Sequence, residues 1–181
     1  MTKGMGDPLG RMPVLRRRMV LAGIAGLGAF GRSAWRAEAA QMRTGWEAWA
    51  RDFLMPDGRV VDPEQGGISH SEGQAYGLLL AQSFGDAEAF ARIEGWTRAH
   101  LAIREDSLMA WKWQPDRQAA EATDWRNATD GDLLRAWALL RASRDSGWRG
   151  YEESLRSIAR DLVALCLAPD PRAPSEHLLL P

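Results

Sequence analysis

Apolar residues recur at helical spacing along most of the chain. Met42, Trp46, Trp49 and Phe53 form the first stripe, and Met55-Pro56-Asp57-Gly58 ends it. Tyr76 to Phe84 is a second apolar stretch, stopped at Gly85-Asp86. Ala87, Phe90, Ile93, Thr97 and Leu101 predict a third helix, and Leu133, Ala136, Trp137 and Leu140 a fourth. The cleanest stripe is the fifth, Tyr151, Leu155, Ile158, Leu162 and Leu165, which should end near Pro169. No alternating run is long enough for a good strand, although Val60-Val61 and Met109 to Trp113 suit short ones. The pattern predicts an all-α domain, with a long loop over 104–128.

The first 40 residues differ from the rest. A basic cluster, Arg16-Arg17-Arg18, precedes a short apolar run from Met19 to Phe30 and a small-x-small site at Ala37-Glu38-Ala39. This is the layout of an export signal, and it places the remainder, 41–181, in the periplasm or outside the cell. A run of about 12 residues is shorter than the ~20 that span a bilayer. Membrane contact is therefore expected only through this segment while it stays uncleaved. Paired arginines permit twin-arginine export, and Leu15 in place of the usual Ser or Thr keeps Sec export equally open.

Charge sharpens the picture. Seven of the 23 basic and two of the 24 acidic residues lie in 1–40, leaving 16 and 22 and a net charge near −6. Such a domain is a poor partner for nucleic acid. Cys166, the single cysteine, sits in an apolar helical run and reads as a small buried hydrophobe. His70, His100 and His177 show no metal-ligand spacing, and neither metal nor cofactor is expected.

Two stretches carry candidate chemistry. Ser69-His70-Ser71-Glu72-Gly73-Gln74-Ala75-Tyr76-Gly77 places Glu72 at one predicted helix start. Asn127-Ala128-Thr129-Asp130-Gly131-Asp132 places Asp130 and Asp132 at another. Capping is one explanation: Ser69-x-x-Glu72 fits a capping box, Thr129-x-x-Asp132 is a weaker version, and Asp130 alone could be an N-cap. Glycosidic-bond hydrolysis is the other, since it needs an acid for the leaving oxygen and carboxylates to organise sugar and water. The two are compatible. Of the nine tryptophans, Trp46, Trp49, Trp96 and Trp137 lie on helical stripes and read as core. Trp111 and Trp113, in the loop beside polar residues, fit a sugar-stacking role better.

These stretches, with Asp57-Gly58-Arg59-Val60-Val61-Asp62 and Leu108-Met109-Ala110-Trp111-Lys112-Trp113, resemble glycoside hydrolase family 8 from about Trp46 onward. The likeness is greatest to the cellulases made alongside bacterial cellulose synthesis. It implies an (α/α)6 barrel of the six-hairpin glycosidase type and inverting endo-hydrolysis of β-1,4-glucan, with a functional link to cellulose synthase. Relatives acting on xylan, chitosan or mixed-linkage glucan, and a fragment that binds glucan without cutting it, are the alternatives. Glu72 falls on the family's general acid, Asp130 on the carboxylate that binds sugar and water, and Trp111 on a ring-stacking aromatic. To act as the acid, Glu72 must carry a proton. The helix dipole opposes that, while burial and a neighbouring carboxylate favour it. The family favours an apolar residue where this chain has Arg135, which raises a packing question. The barrel needs over 300 residues by this resemblance, so about half of it is expected here, with the catalytic base outside the chain and apolar helix faces left open.

Overall fold

The computed structural model describes residues 38, 40–115 and 121–181. The predicted export segment, 1–40, lies outside the described residues except for positions 38 and 40. Five helices dominate: α1 (40–53), α2 (Ser71–Ser83), α3 (Ala87–His100), α4 (Thr129–Arg144) and α5 (Glu152–Cys166). All five coincide with predicted stripes. Among the described residues, no helix is long and apolar enough to cross a membrane.

Short strands interleave with the helices. β1 (Ser69–His70), β2 (Lys112–Gln114) and β3 (Glu121–Asp124) form an antiparallel sheet in that order. β4 (Leu167–Asp170) and β5 (Ala173–Leu179) form a hairpin. The loop expected over 104–128 thus contains two strands. The fifth helix stops at Cys166, three residues before Pro169, because Leu167 turns to an extended backbone with ψ of 132° and enters β4. The Cys166 carbonyl accepts from Leu180 N–H at 2.7 Å, so the returning strand satisfies a carbonyl that the helix leaves free.

Helix packing follows a regular scheme. α2 contacts both α3 and α4, and α4 contacts both α2 and α5. Hence α2 and α4 lie side by side, with α3 and α5 as their respective partners. The N-termini of α2 and α4 abut: a Cβ on Gly131 would stand 2.5 Å from Ser71 Oγ and 3.0 Å from Glu72 N. Only a residue without a side chain permits this approach. Both helices therefore start at the same end.

The main core joins Trp46, Leu78, Phe90, Ile93, Leu139 and Ile158. Trp46 stacks on Trp49 at 5.6 Å and on Phe84 at 6.1 Å, and its indole N–H donates to Asp86, the cap of α3. Gln74 is a fully buried strut within the Ser69–Gly77 motif: its carbonyl accepts from Val60 N–H and its amide donates to Thr97 Oγ1 at 2.9 Å. The turn at Gly58 presses on α3, where a Cβ would lie 2.1 Å from the Arg92 carbonyl oxygen, and its φ of 99° suits glycine. A second cluster, Trp96, Leu101, Met109 and Trp113, sits beneath the small sheet.

Arg135 answers the packing question. It is buried and forms a fork on Glu94 of α3, with Nη2 to Oε1 at 2.7 Å and Nε to Oε2 at 3.1 Å. A charge at this position is tolerated because its counter-charge is buried with it.

Candidate active site

Glu72 and Asp130 occupy the same position, the second residue of α2 and of α4. Because those helix starts touch through Gly131, the two carboxylates come from adjacent turns. Glu72 is half-buried and Asp130 exposed. Tyr76, one turn below Glu72, donates its phenolic O–H to Glu72 Oε1 at 3.0 Å. The phenol's pKa is raised, first by that hydrogen bond and by the Glu72 charge, then by desolvation and by the charge of Asp130. One hydroxyl therefore senses both carboxylates.

Neither capping expectation is met in the form predicted. The cap of α2 is His70, whose Nδ1 accepts from Gly73 N–H at 3.0 Å. Ser69 belongs to β1 and pairs with Trp113, so its hydroxyl faces Arg59 rather than the helix start. The ring of His70 is held from the other side by Asp62, with Nε2 to Oδ2 at 3.4 Å. The cap position of α4 is Ala128, which has no side-chain acceptor. Asp130 accepts from the adjacent Gly131 N–H at 2.7 Å. Glu72 is thus free of a cap role, apart from its favourable place at a helix N-terminus.

Trp111 ties the start of α2 to the segment that leads into α4 through its backbone. Its carbonyl accepts from Ser71 N–H at 2.9 Å, and its N–H donates to the Arg126 carbonyl at 2.8 Å. Its ring is half-buried, with Lys112 Nζ 5.5 Å from the centroid. The indole N–H bonds Asp124, which, after the stronger Arg126 contact, helps hold that carboxyl well below its usual range. Trp113 does not share this setting. It is buried, edge-on to Trp96 at 5.4 Å with Arg59 4.8 Å above its ring, and is core. Residues two apart in a regular strand share a face, but Trp111 precedes β2 and the pairing with β3 shifts register between Lys112 and Trp113, so the two rings need not point the same way. Trp137, expected in the core, is half-exposed on α4.

Asp132 has a different part from Asp130. It is fully buried, and Oδ1 accepts from Met109 N–H at 2.8 Å while Oδ2 has no partner among the described residues. Burial pushes its carboxyl up to about 7, against the opposing pull of the Met109 N–H and of Arg135 and Arg104. It ties the start of α4 to the segment that leads to Trp111.

A cavity of about 650 Å³ lies between α1, α2 and the 60–64 turn, lined by Trp49, Phe53, Leu79, Leu80, His70 and Tyr76. It is mostly apolar, and none of Glu72, Asp130 and Trp111 lines it. Among the described residues, no group of three or more His, Cys, Asp or Glu could hold a metal ion. Reading the motifs alone missed Tyr76 and His70. Tyr76 stands four residues after Glu72, the spacing that puts two side chains on one helix face, and this was the available signal.

The chain is similar to known proteins in sequence and fold. The sequence profile of the glycosyl hydrolases family 8 matches residues 12–165. An endoglucanase of Cellulomonas uda is 38% identical over 121 residues, covering 67% of this chain and 33% of that protein. A probable endoglucanase of Novacetimonas hansenii is 39% identical over 142 residues, covering 78% and 40% respectively. The crystal structure of an endoglucanase from Komagataeibacter sucrofermentans superposes with a TM-score of 0.70 at 33% identity, over 77% of this chain and 43% of that one. The chain thus spans well under half the length of these relatives. Its paired helices are the corresponding part of their (α/α)6 barrel. With the profile running through both carboxylate motifs, the chain belongs to glycoside hydrolase family 8.

Proposed function

We propose that this chain carries the acid half of an endo-β-1,4-glucanase site. Glu72 protonates the glycosidic oxygen, Asp130 holds the sugar and the attacking water at the cleavage point, and Trp111 stacks a glucosyl ring. The carrying observation is the contact between the starts of α2 and α4, which brings Glu72 and Asp130 to one phenol. In an inverting reaction the C1–O bond breaks as the acid's proton reaches the leaving oxygen. Water attacks from the opposite face and gives its proton to a base ~6.5–9.5 Å from the acid. That base is none of these three groups. The endoglucanase names of the relatives support glucan as substrate. The basic cluster and apolar run before residue 40 support export to the periplasm or beyond, where a working link to cellulose synthase would place the enzyme beside its polymer.

The test is cellotetraose binding by calorimetry together with the reducing ends the chain releases from carboxymethyl-cellulose, which, with the base outside the chain, should fall far below the release by a full-length relative. Glu72→Gln keeps the shape but cannot donate a carboxylic proton, and it should lower turnover by about 10²–10⁴-fold with little change in folding. Near-full turnover by this variant would remove Glu72 from the chemistry. Binding without any turnover would assign the chain a glucan-holding role instead.

A further inference from the structure

We propose that Tyr76 is a positioning residue for the acid: by occupying Glu72 Oε1, it leaves Oε2 as the oxygen that carries and delivers the proton. This rests on the glucanase reading above and deepens it. The geometry is a direct O–H···O contact of 3.0 Å, one helical turn along α2, between an exposed phenol and a half-buried carboxyl. A phenol that donates to one carboxyl oxygen makes that oxygen the acceptor. In the protonated acid, Oε1 is therefore the carbonyl oxygen and Oε2 the hydroxyl.

The same contact acts on the reaction itself. The Oε2–H proton moves to the glycosidic oxygen, the C1–O bond breaks with its electron pair going to the leaving alcohol, and Glu72 is left as a carboxylate. The phenolic proton stays on Tyr76. A hydrogen bond to a carboxylate is roughly twice as strong as one to a neutral acid. The contact is therefore worth more as charge develops than in the ground state, which is the condition for lowering a barrier. Tyr76 must remain a donor for this, and its environment ensures it. Glu72 on α2 and Asp130 on α4 both disfavour phenolate. His70, Asp62 and Glu64 line the cavity on its other side, while α1 presents only the apolar Trp49 and Phe53 there.

The chain holds two tyrosines, Tyr76 and Tyr151, so Tyr151→Phe isolates Tyr76 for ultraviolet titration of the phenol. Tyr151 meets Phe90 ring to ring at 5.1 Å, a contact that phenylalanine preserves. In the full chain carrying Tyr151→Phe, Tyr76 should ionise above the ordinary phenol range. Adding Glu72→Gln should move it back towards that range, and adding Asp130→Asn should move it less. Ionisation unchanged by Glu72→Gln overturns the proposal. In the otherwise native chain, Tyr76→Phe should lower kcat on carboxymethyl-cellulose by about 10- to 100-fold with KM little changed. An unchanged kcat, or a loss confined to KM, also overturns it. A native chain that fails to bind cellotetraose but shows the coupled titration would sink the glucanase reading and still support the Tyr76–Glu72 pairing.

Discussion

Single residues in this site are held by their neighbours' backbones more than by their own side chains. Trp111 shows it best. Its N–H and C=O bind Arg126 and Ser71, so the loop keeps its course even if the ring is removed. Trp111→Ala should therefore weaken cellotetraose binding by about tenfold, a stacking contribution of ~1.4 kcal/mol. Its stability loss should stay below the ~3–5 kcal/mol of a core tryptophan. Calorimetric titration paired with thermal melting separates the two, and a large stability loss with unchanged affinity would move Trp111 into the core. The contrast with Trp113 marks what a sequence can and cannot tell. Both lie in one Trp-Lys-Trp run, and Trp113 is fixed inward by the register of β2 against β1, while Trp111 stands before the strand and before the irregularity at Lys112. That register depends on partners up to 44 positions away, at Ser69. Trp137 misled for the same kind of reason, since helical spacing fixes a face but not what covers it.

At the level of elements, the contact between α2 and α4 decides the site. Gly131 lets the two helix starts meet, and the space beside it is filled by Ser71. Gly131→Ala places a methyl 2.5 Å from Ser71 Oγ and 2.8 Å from its Cβ. The helices must separate, at about 1–3 kcal/mol of stability. Glu72 and Asp130 then drift apart. The expected outcome is a lowered melting temperature with a larger fall in glucan binding than Trp111-independent surface changes give. Unchanged melting and binding would mean that the helix starts do not touch. The five helices were legible from their stripes, and the two carboxylates from their motifs. Met109 to Trp113 anticipated the start of β2, and Val60 makes an isolated bridge to Leu54, but the caps and the other strands were not legible. A histidine cap has no strong signature, and β1 is two residues long, too short for a period of two to show.

For the whole molecule, the buried Asp132 makes stability depend on pH. Its carboxyl is raised by burial from 3.8 to about 7 in the folded state, so the fold binds a proton that the unfolded chain releases near 4. The associated stability is fully present below about pH 4 and is lost as pH rises through about 7. Roughly three pH units at ~1.4 kcal/mol each give an upper figure of about 4 kcal/mol. Asp132→Asn keeps an acceptor for Met109 N–H and removes the titration. Denaturant unfolding at pH 5 and pH 8 should differ less in this variant than in the native chain, and an equal difference in both would sink the assignment. Carboxyls held low by arginines act the other way. Asp161, lowered to about 2 chiefly by Arg160, adds a contribution present above about pH 4 and lost as pH falls through about 2. It is mostly buried but its arginine is exposed, so that contribution is small.

The fork between Arg135 and Glu94 has a consequence for how such chains can change. Converting either residue alone to leucine strands the other charge in the core, which typically costs about 3–5 kcal/mol, while converting both can be close to neutral. A double-mutant cycle on Glu94→Leu and Arg135→Leu should show strong coupling, with the pair far more stable than the sum of the single losses predicts. Apolar and ionic versions of this helix contact are then two fitness peaks divided by a valley. A lineage crosses it by paired replacement, or not at all.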